Sequence, residues 1–100
     1  MAREVIHSEQ SLRDRRNILS YWRQRNMSDT YSRKLNQLFK EAFNLLSKYP
    51  EIGKVTSDGK FRVKVVRDYL IIYEVNPLEI VILSIWDARN DPRKLATILS

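Results

Sequence analysis

Two long apolar runs constrain the fold of this chain more than any other feature. Tyr69–Val75 (YLIIYEV) and residues 80–86 (IVILSIW) are separated by the turn-forming Asn76, Pro77, Leu78 and Glu79. Each has strand length and is rich in β-branched and aromatic residues. A strand alternates its side chains between two faces, so a run that is apolar on both must be central in a sheet or covered by something further. A partner protein is one source of such cover.

The strand expected just before them, over 61–65, is different in kind. Lys60, Arg62, Lys64 and Arg67 form a basic cluster with no acid between Asp58 and Asp68. Alternation puts Arg62 and Lys64 on one face and Phe61, Val63 and Val65 on the other, and the apolar set is expected to face the helices. The three strands and their charged exit, FRVKVVRDYLIIYEVNPLEIVILSIWDARNDP, read as a scaffold that presents a site.

The N-terminal half supplies the helices. A short strand is expected over residues 2–7, with Ser8 as cap of a helix over 9–25 that carries Leu12, Ile18, Leu19 and Trp22 on one side. Arg15 falls on the same face and is expected to bury its stem while its head stays in water. Ser28 and Asp29 offer a second cap. The helix that follows shows Tyr31, Leu35, Leu38, Ala42, Leu45 or Leu46, and Tyr49 at three- and four-residue steps, and Pro50 ends it. Gly53 and then Ser57, Asp58 and Gly59 mark a loop and a turn, while Asn90, Asp91 and Pro92 open a short C-terminal helix with Leu95, Ile98 and Leu99. The order is β-α-α-β-β-β-α, an α+β domain with two helices on one face of a mainly antiparallel sheet.

One hundred residues fit a single domain over residues 1–100. At 43% hydrophobic and 30% charged, the composition supports a packed core and argues against disorder. Cysteine is absent and His7 is the only histidine, which removes disulfides and thiolate metal sites and leaves no basis for a metal or other cofactor. No apolar run approaches the roughly 20 residues of a membrane span, and the charged N-terminus does not read as a secretion signal, so a cytoplasmic location is expected. The net charge is +6, which points to an acidic partner, either nucleic acid or protein. Residues 1–50 carry ten basic and five acidic side chains, against eight and seven in 51–100. The excess therefore lies in the helical half.

The ordered set of a long helix ending in LLSKYPEIG, the strand pair FRVKVVRDYLIIYEV and the exit WDARNDPRKL resembles the RelE/ParE superfamily of bacterial type II toxins. The likeness spans nearly the whole chain and implies a partner antitoxin. The superfamily divides into ribosome-dependent messenger endoribonucleases and gyrase poisons. Cleaving RNA requires activation of the 2′-hydroxyl, stabilisation of charge on the phosphate and protonation of the leaving oxygen. Arg62 and Lys64 match the basic pair of the ribonuclease branch, with Arg67 close by and Arg89 leaving the last strand. Leu70, however, follows Tyr69 where the ribonuclease pattern has arginine, and the C-terminal region has no histidine or tyrosine. The apolar Leu70, Ile71, Ile72 and Tyr73, and Asp91-Pro92 after the last strand, resemble the ParE-like branch.

By that resemblance the chain is expected to be a toxin that inhibits DNA gyrase, has no catalytic residues of its own and is neutralised by an antitoxin. Operator DNA would then be bound only indirectly, through the antitoxin. The alternatives are an endoribonuclease acting on ribosome-bound mRNA through Arg62, Lys64, Arg67 and Arg89, or an inactive remnant that only binds. Arg62, Lys64, Arg67, Tyr73, Trp86 and Arg89 are the candidate contacts for antitoxin or target. For Arg62, Lys64 and Arg89 a solvated sheet face competes with that role. Trp22 and Trp86 are expected to pack before they stack on a base or anchor a partner, and Tyr69 and Tyr73 to serve core or interface. Glu74 and Asp87 are weak proton donors at neutral pH, and Asp87 is expected to pair with Arg89 or cap the turn. His7 reads as incidental. Arg13, Arg16, Arg23 and Arg25 form a solvated helix face that a gyrase poison could turn to its target.

Overall fold

The computed structural model describes residues 2–89, which form β1 (Glu4–His7), α1 (Glu9–Asn26), α2 (Thr30–Lys48), β2 (Lys54–Val55), β3 (Arg62–Val66), β4 (Tyr69–Val75) and β5 (Glu79–Asp87). The strands make one sheet in the order β1-β5-β4-β3-β2, so both apolar runs are interior strands. Three pairings are antiparallel, and β1 lies parallel to β5 with Val5 opposite Ile80 and His7 opposite Ile82. This is the expected α+β architecture with one extra element. At two residues, β2 is too short to leave a period-two signature in the sequence. The helix expected from Asn90, Asp91 and Pro92 lies outside the described residues.

Ser8 caps α1 as expected, its Oγ accepting the Ser11 N–H at 3.0 Å. The same hydroxyl donates to the Leu83 carbonyl at 2.8 Å, and the Asp14 carboxylate accepts the Ile85 N–H at 3.0 Å. These two contacts satisfy the edge of β5 where β1 stops, so the first turns of α1 replace the missing length of strand. At α2, Asp29 stands at the cap position but makes no capping bond. It pairs with Arg33 at 2.6 Å, while Ser28 Oγ takes the Thr30 N–H.

The buried face of α2 is rotated from the one expected. Leu35, Phe39, Ala42, Phe43 and Leu46 are buried, whereas Leu45 and Tyr49 are exposed, Tyr49 as the residue that ends the helix. Leu35, Phe39, Ala42 and Leu46 follow i, i+4, i+7, i+11 spacing, and the two phenylalanines give this stripe more apolar area than the neighbouring Tyr31-Leu38-Leu45-Tyr49 line. In α1, Ile18, Leu19 and Trp22 pack on the core but Leu12 is exposed. Arg15 lays its guanidinium over Phe43, 5.6 Å from the ring centre. Each wholly enclosed side chain, such as Leu35, Phe39, Leu46, Ile80 or Ile82, contributes about 1.5–3 kcal/mol through burial.

The sidedness of β3 is the reverse of expectation. Val63 packs with Leu70, Ile72, Phe61, Leu83, Trp86 and Ala88 on the face away from the helices. Val66 belongs to the helix-facing core with Tyr69, Ile71 and Tyr73, which places Lys64 and Arg62 on the helix side by alternation. The cause lies in β4: with both of its faces apolar, period two in β3 could not reveal which one meets the helices.

A bulge explains the parity of β5. Ile72 pairs with Ser84 but Tyr73 pairs with Ile82, so Leu83 is an extra residue. Ile80, Ile82 and Ile85 consequently all face the helices, and Trp86 is sent to the outer face.

Candidate functional site

The two ends of β4 carry contrasting constellations. At the Tyr73 end, the phenol is fully enclosed, donates to the Pro50 carbonyl at 2.7 Å and accepts the Gly53 N–H at 2.9 Å. Burial pushes its pKa up. Arg62, paired across the ladder with Tyr73, donates from Nη1 to the carbonyls of Glu51 and Gly53 at 3.1 and 2.8 Å. A Cβ at Gly53 would stand 2.9 Å from Tyr73 Cζ, which is why the loop after Pro50 needs glycine here. Two expected contact residues, Tyr73 and Arg62, are thus absorbed in holding the 50–53 loop to the sheet. Tyr73 offers a partner no surface.

Lys64 and Arg67 are placed differently. β2 covers only Arg62 and Val63, so beyond them β3 has no strand on its outer side among the described residues. Along that edge Lys64, Val65, Val66 and Arg67 line a groove of about 300 Å³ with Leu38, Glu41, Ala42 and Leu45 of α2. Val65 is 55% exposed, high for a valine in a strand. Arg67 opens the β3–β4 turn with φ of 56°, a conformation that glycine adopts more easily. Neither Lys64 nor Arg67 makes an ion pair among the described residues.

At the Tyr69 end, side chains from α1, α2, β4 and the exit of β5 converge. Trp22 Nε1 donates to Tyr69 Oη at 2.6 Å, and Tyr21 and Tyr31 each meet the Trp22 ring edge-on at 5.1 and 4.9 Å. Arg89 lies over Trp22 at 5.3 Å and over Tyr69 at 6.0 Å, and Arg25 approaches Trp22 at 6.0 Å. Asp87 grips Arg89 through Nε and Nη2 at 3.0 and 2.9 Å and also accepts its backbone N–H. Pairing and turn capping, expected as alternatives for Asp87, therefore occur together. The Arg89 hydrogen bonds hold the Asp87 pKa below the usual carboxylate range, and the same pair raises that of Arg89. Burial raises the Tyr69 pKa. A cleft of about 510 Å³ opens here between Asn17, Ile18, Tyr21, Tyr69, Asp87 and Arg89.

Trp86 sits on the outer sheet face, lining an apolar pocket of about 410 Å³ with Phe61, Ile72 and Leu83. Glu74 and Val75 lie toward the far end of β4 from Tyr69. His7 meets Phe43 edge-on at 4.7 Å, and burial, helped by Arg15, lowers its pKa. No group of side chains with metal-ligand character occurs among the described residues, and no helix there is long and apolar enough to cross a membrane. Of the six expected contact residues, Arg62 and Tyr73 meet at Gly53, Lys64 and Arg67 share the groove beside α2, and Trp86 and Arg89 each stand apart from these. Tyr21 and Asn17, which line the cleft beside Arg89, were missed in the sequence, whereas Trp22, which packs against Tyr21, was singled out there.

The chain matches no curated protein. Among solved structures it is similar to a chain of the chromosomal ParDE TA system from P. aeruginosa, with a TM-score of 0.72 at 16% identity over 84% of this chain and 94% of that one. That likeness concerns the fold. The sequence model of the family described as ParE toxin of type II toxin-antitoxin system, parDE, matches residues 5–92. The chain belongs to the ParE toxin family of type II toxin–antitoxin systems.

Proposed function

We propose that this protein arrests growth by binding and blocking DNA gyrase in the cytoplasm, and that a cognate antitoxin holds it inactive. The observation that carries the reading is the state of the strand a ribonuclease would use. Leu70, at the position where the ribonuclease pattern has arginine, is 2% exposed in the outer apolar cluster, and Arg62 spends its Nη1 on two backbone carbonyls. Phosphate stabilisation needs donors that are free to meet the charge as it develops. The basic residues left to meet a phosphate on this strand and its turn are Lys64, Arg67 and the Nε and Nη2 donors of Arg62, and none of them is an acid or base in the neutral range. Binding, rather than bond cleavage, fits such a surface.

The antitoxin reading rests on the outer edge of β3. An extended acidic segment can add a strand beside Lys64, Val65 and Val66 and seat an apolar side chain in the groove against Leu38 and Leu45. Lys54, Lys60, Lys64 and Arg67 supply the complementary charge. Operator DNA would be reached only through the antitoxin.

The test is expression from a tightly regulated promoter, following growth, DNA-damage response and protein synthesis in one culture. Arrest with a damage response while translation continues is expected. Rapid loss of translation with cut mRNA would replace gyrase by the ribosome, and unimpaired growth would leave only a binding remnant.

A further inference from the structure

We infer that the cleft between α1 and the exit of β5 is the toxin's anchor for its protein target, and that it receives a carboxylate-bearing side chain flanked by an apolar one. This deepens the gyrase reading and rests on it.

The cleft is built for an anion at its mouth. Asp87 is gripped from beneath: its side chain is 19% exposed, against 43% for Arg89. The cation therefore faces outward and the anion inward. A guanidinium has five N–H donors, of which Asp87 takes one on Nε and one on Nη2. Three remain for a second carboxylate. Arg25, exposed on α1 and 6.0 Å from the centre of the Trp22 ring that also meets Arg89, adds a second cation nearby. Asp68 at the β3–β4 turn is the other acidic neighbour of Arg89, so two carboxylates stand against the two guanidiniums and the site depends on the free N–H donors of Arg89 rather than on net charge.

The walls supply the apolar half of the site. Ile18 and Tyr21 line it from α1 and Tyr69 from β4. Tyr21 is 46% exposed although it packs edge-on against Trp22. Tyrosine, tryptophan and arginine are the residues that most often carry binding energy at protein interfaces. The ring faces of Trp22 and Tyr69 already hold Arg89, which leaves them unsuited to stacking with a nucleobase and favours a protein ligand.

Rigidity separates this surface from the β3 edge. Asp87 and two aromatic rings fix the rotamer of Arg89, so little of its side-chain freedom remains to be lost on binding. Such a surface suits a folded partner whose backbone moves little. The open strand edge suits a segment that folds as it binds. A toxin of this family has to meet both kinds of partner, and the two surfaces lie on different elements.

The decisive experiment titrates the purified full chain into a DNA gyrase supercoiling assay, comparing wild type with Tyr21→Ala and Arg89→Gln. Thermal melting and antitoxin binding are measured on the same samples. Both variants are expected to bind antitoxin as wild type does and to need about tenfold more protein for half-inhibition. Tyr21→Ala removes an exposed ring outside the core, so it remains informative should Arg89→Gln lower stability by freeing Asp87. Equal potency of folded variants and wild type would overturn the inference, as would a loss confined to antitoxin binding. Failure of the gyrase reading has its own signature: wild-type protein leaves supercoiling intact, and the anchor falls with it.

Discussion

The two ends of β4 use the same residue types to opposite ends. Tyr73 turns its hydroxyl, and Arg62 its Nη1, inward onto the carbonyls and N–H of the 50–53 loop. Tyr69 and Arg89 are held by other side chains, with the cation left at a cleft mouth. An arginine spent on backbone carbonyls has become part of the fold. One whose only acidic grip comes from below keeps donors for a partner. The contrast shows that a basic residue's position on a strand says little about its role until the partners of its N–H groups are known.

The contrast can be broken most severely at the closed end. Gly53→Ala forces a Cβ into the Tyr73 ring and should cost about 2–3 kcal/mol in urea unfolding, through displacement of the phenol. Tyr73→Phe keeps the packing but strands the Pro50 carbonyl and the Gly53 N–H, for about 1–3 kcal/mol. A smaller loss, about 1 kcal/mol, is expected for Arg62→Met, which should leave growth arrest intact once the protein is folded. At the open end the balance inverts. Arg89→Gln should lower stability by only about 1 kcal/mol, since the guanidinium is 43% exposed and its ion pair partly screened by water, while weakening target inhibition sharply.

The smallest effect concerns pH. The folded-state pKa of His7 is lowered by burial and by Arg15, so below its ordinary value near 6.5 the unfolded chain binds more protons than the folded one. Stability is therefore complete above that value and falls as pH drops toward the lowered folded pKa. Replacing His7 by Gln should flatten this part of the melting-temperature profile between pH 7.5 and 5.5, to the extent of roughly one titrating group. An identical slope in both proteins would remove His7 from the explanation.

Strand existence was legible because β4 and β5 carry long runs that are apolar on both faces, and that same property hid which face meets the helices. Period two in β3 separates Arg62 and Lys64 from Val63 but cannot choose between two apolar sides. The Leu83 bulge, which redirects Trp86, arises from pairing with β4 and leaves no mark in β5 alone. Capping by Ser8 was readable because its consequence is local. The work of Asp14 was not, because its partner Ile85 is 71 residues away. The same reason separates Arg89, visible as a charge, from the aromatic floor formed by Trp22 and Tyr69, which only the packing of α1 on β5 assembles.

The most direct measurement compares mRNA integrity and growth after induction of wild type and of a folded Arg62→Gln/Lys64→Gln variant. If the basic strand serves structure and binding, both proteins arrest growth and mRNA stays intact. Cut mRNA in the wild type, with cutting and arrest both lost in a variant that still melts cooperatively, would contradict that role and make the strand a catalytic surface.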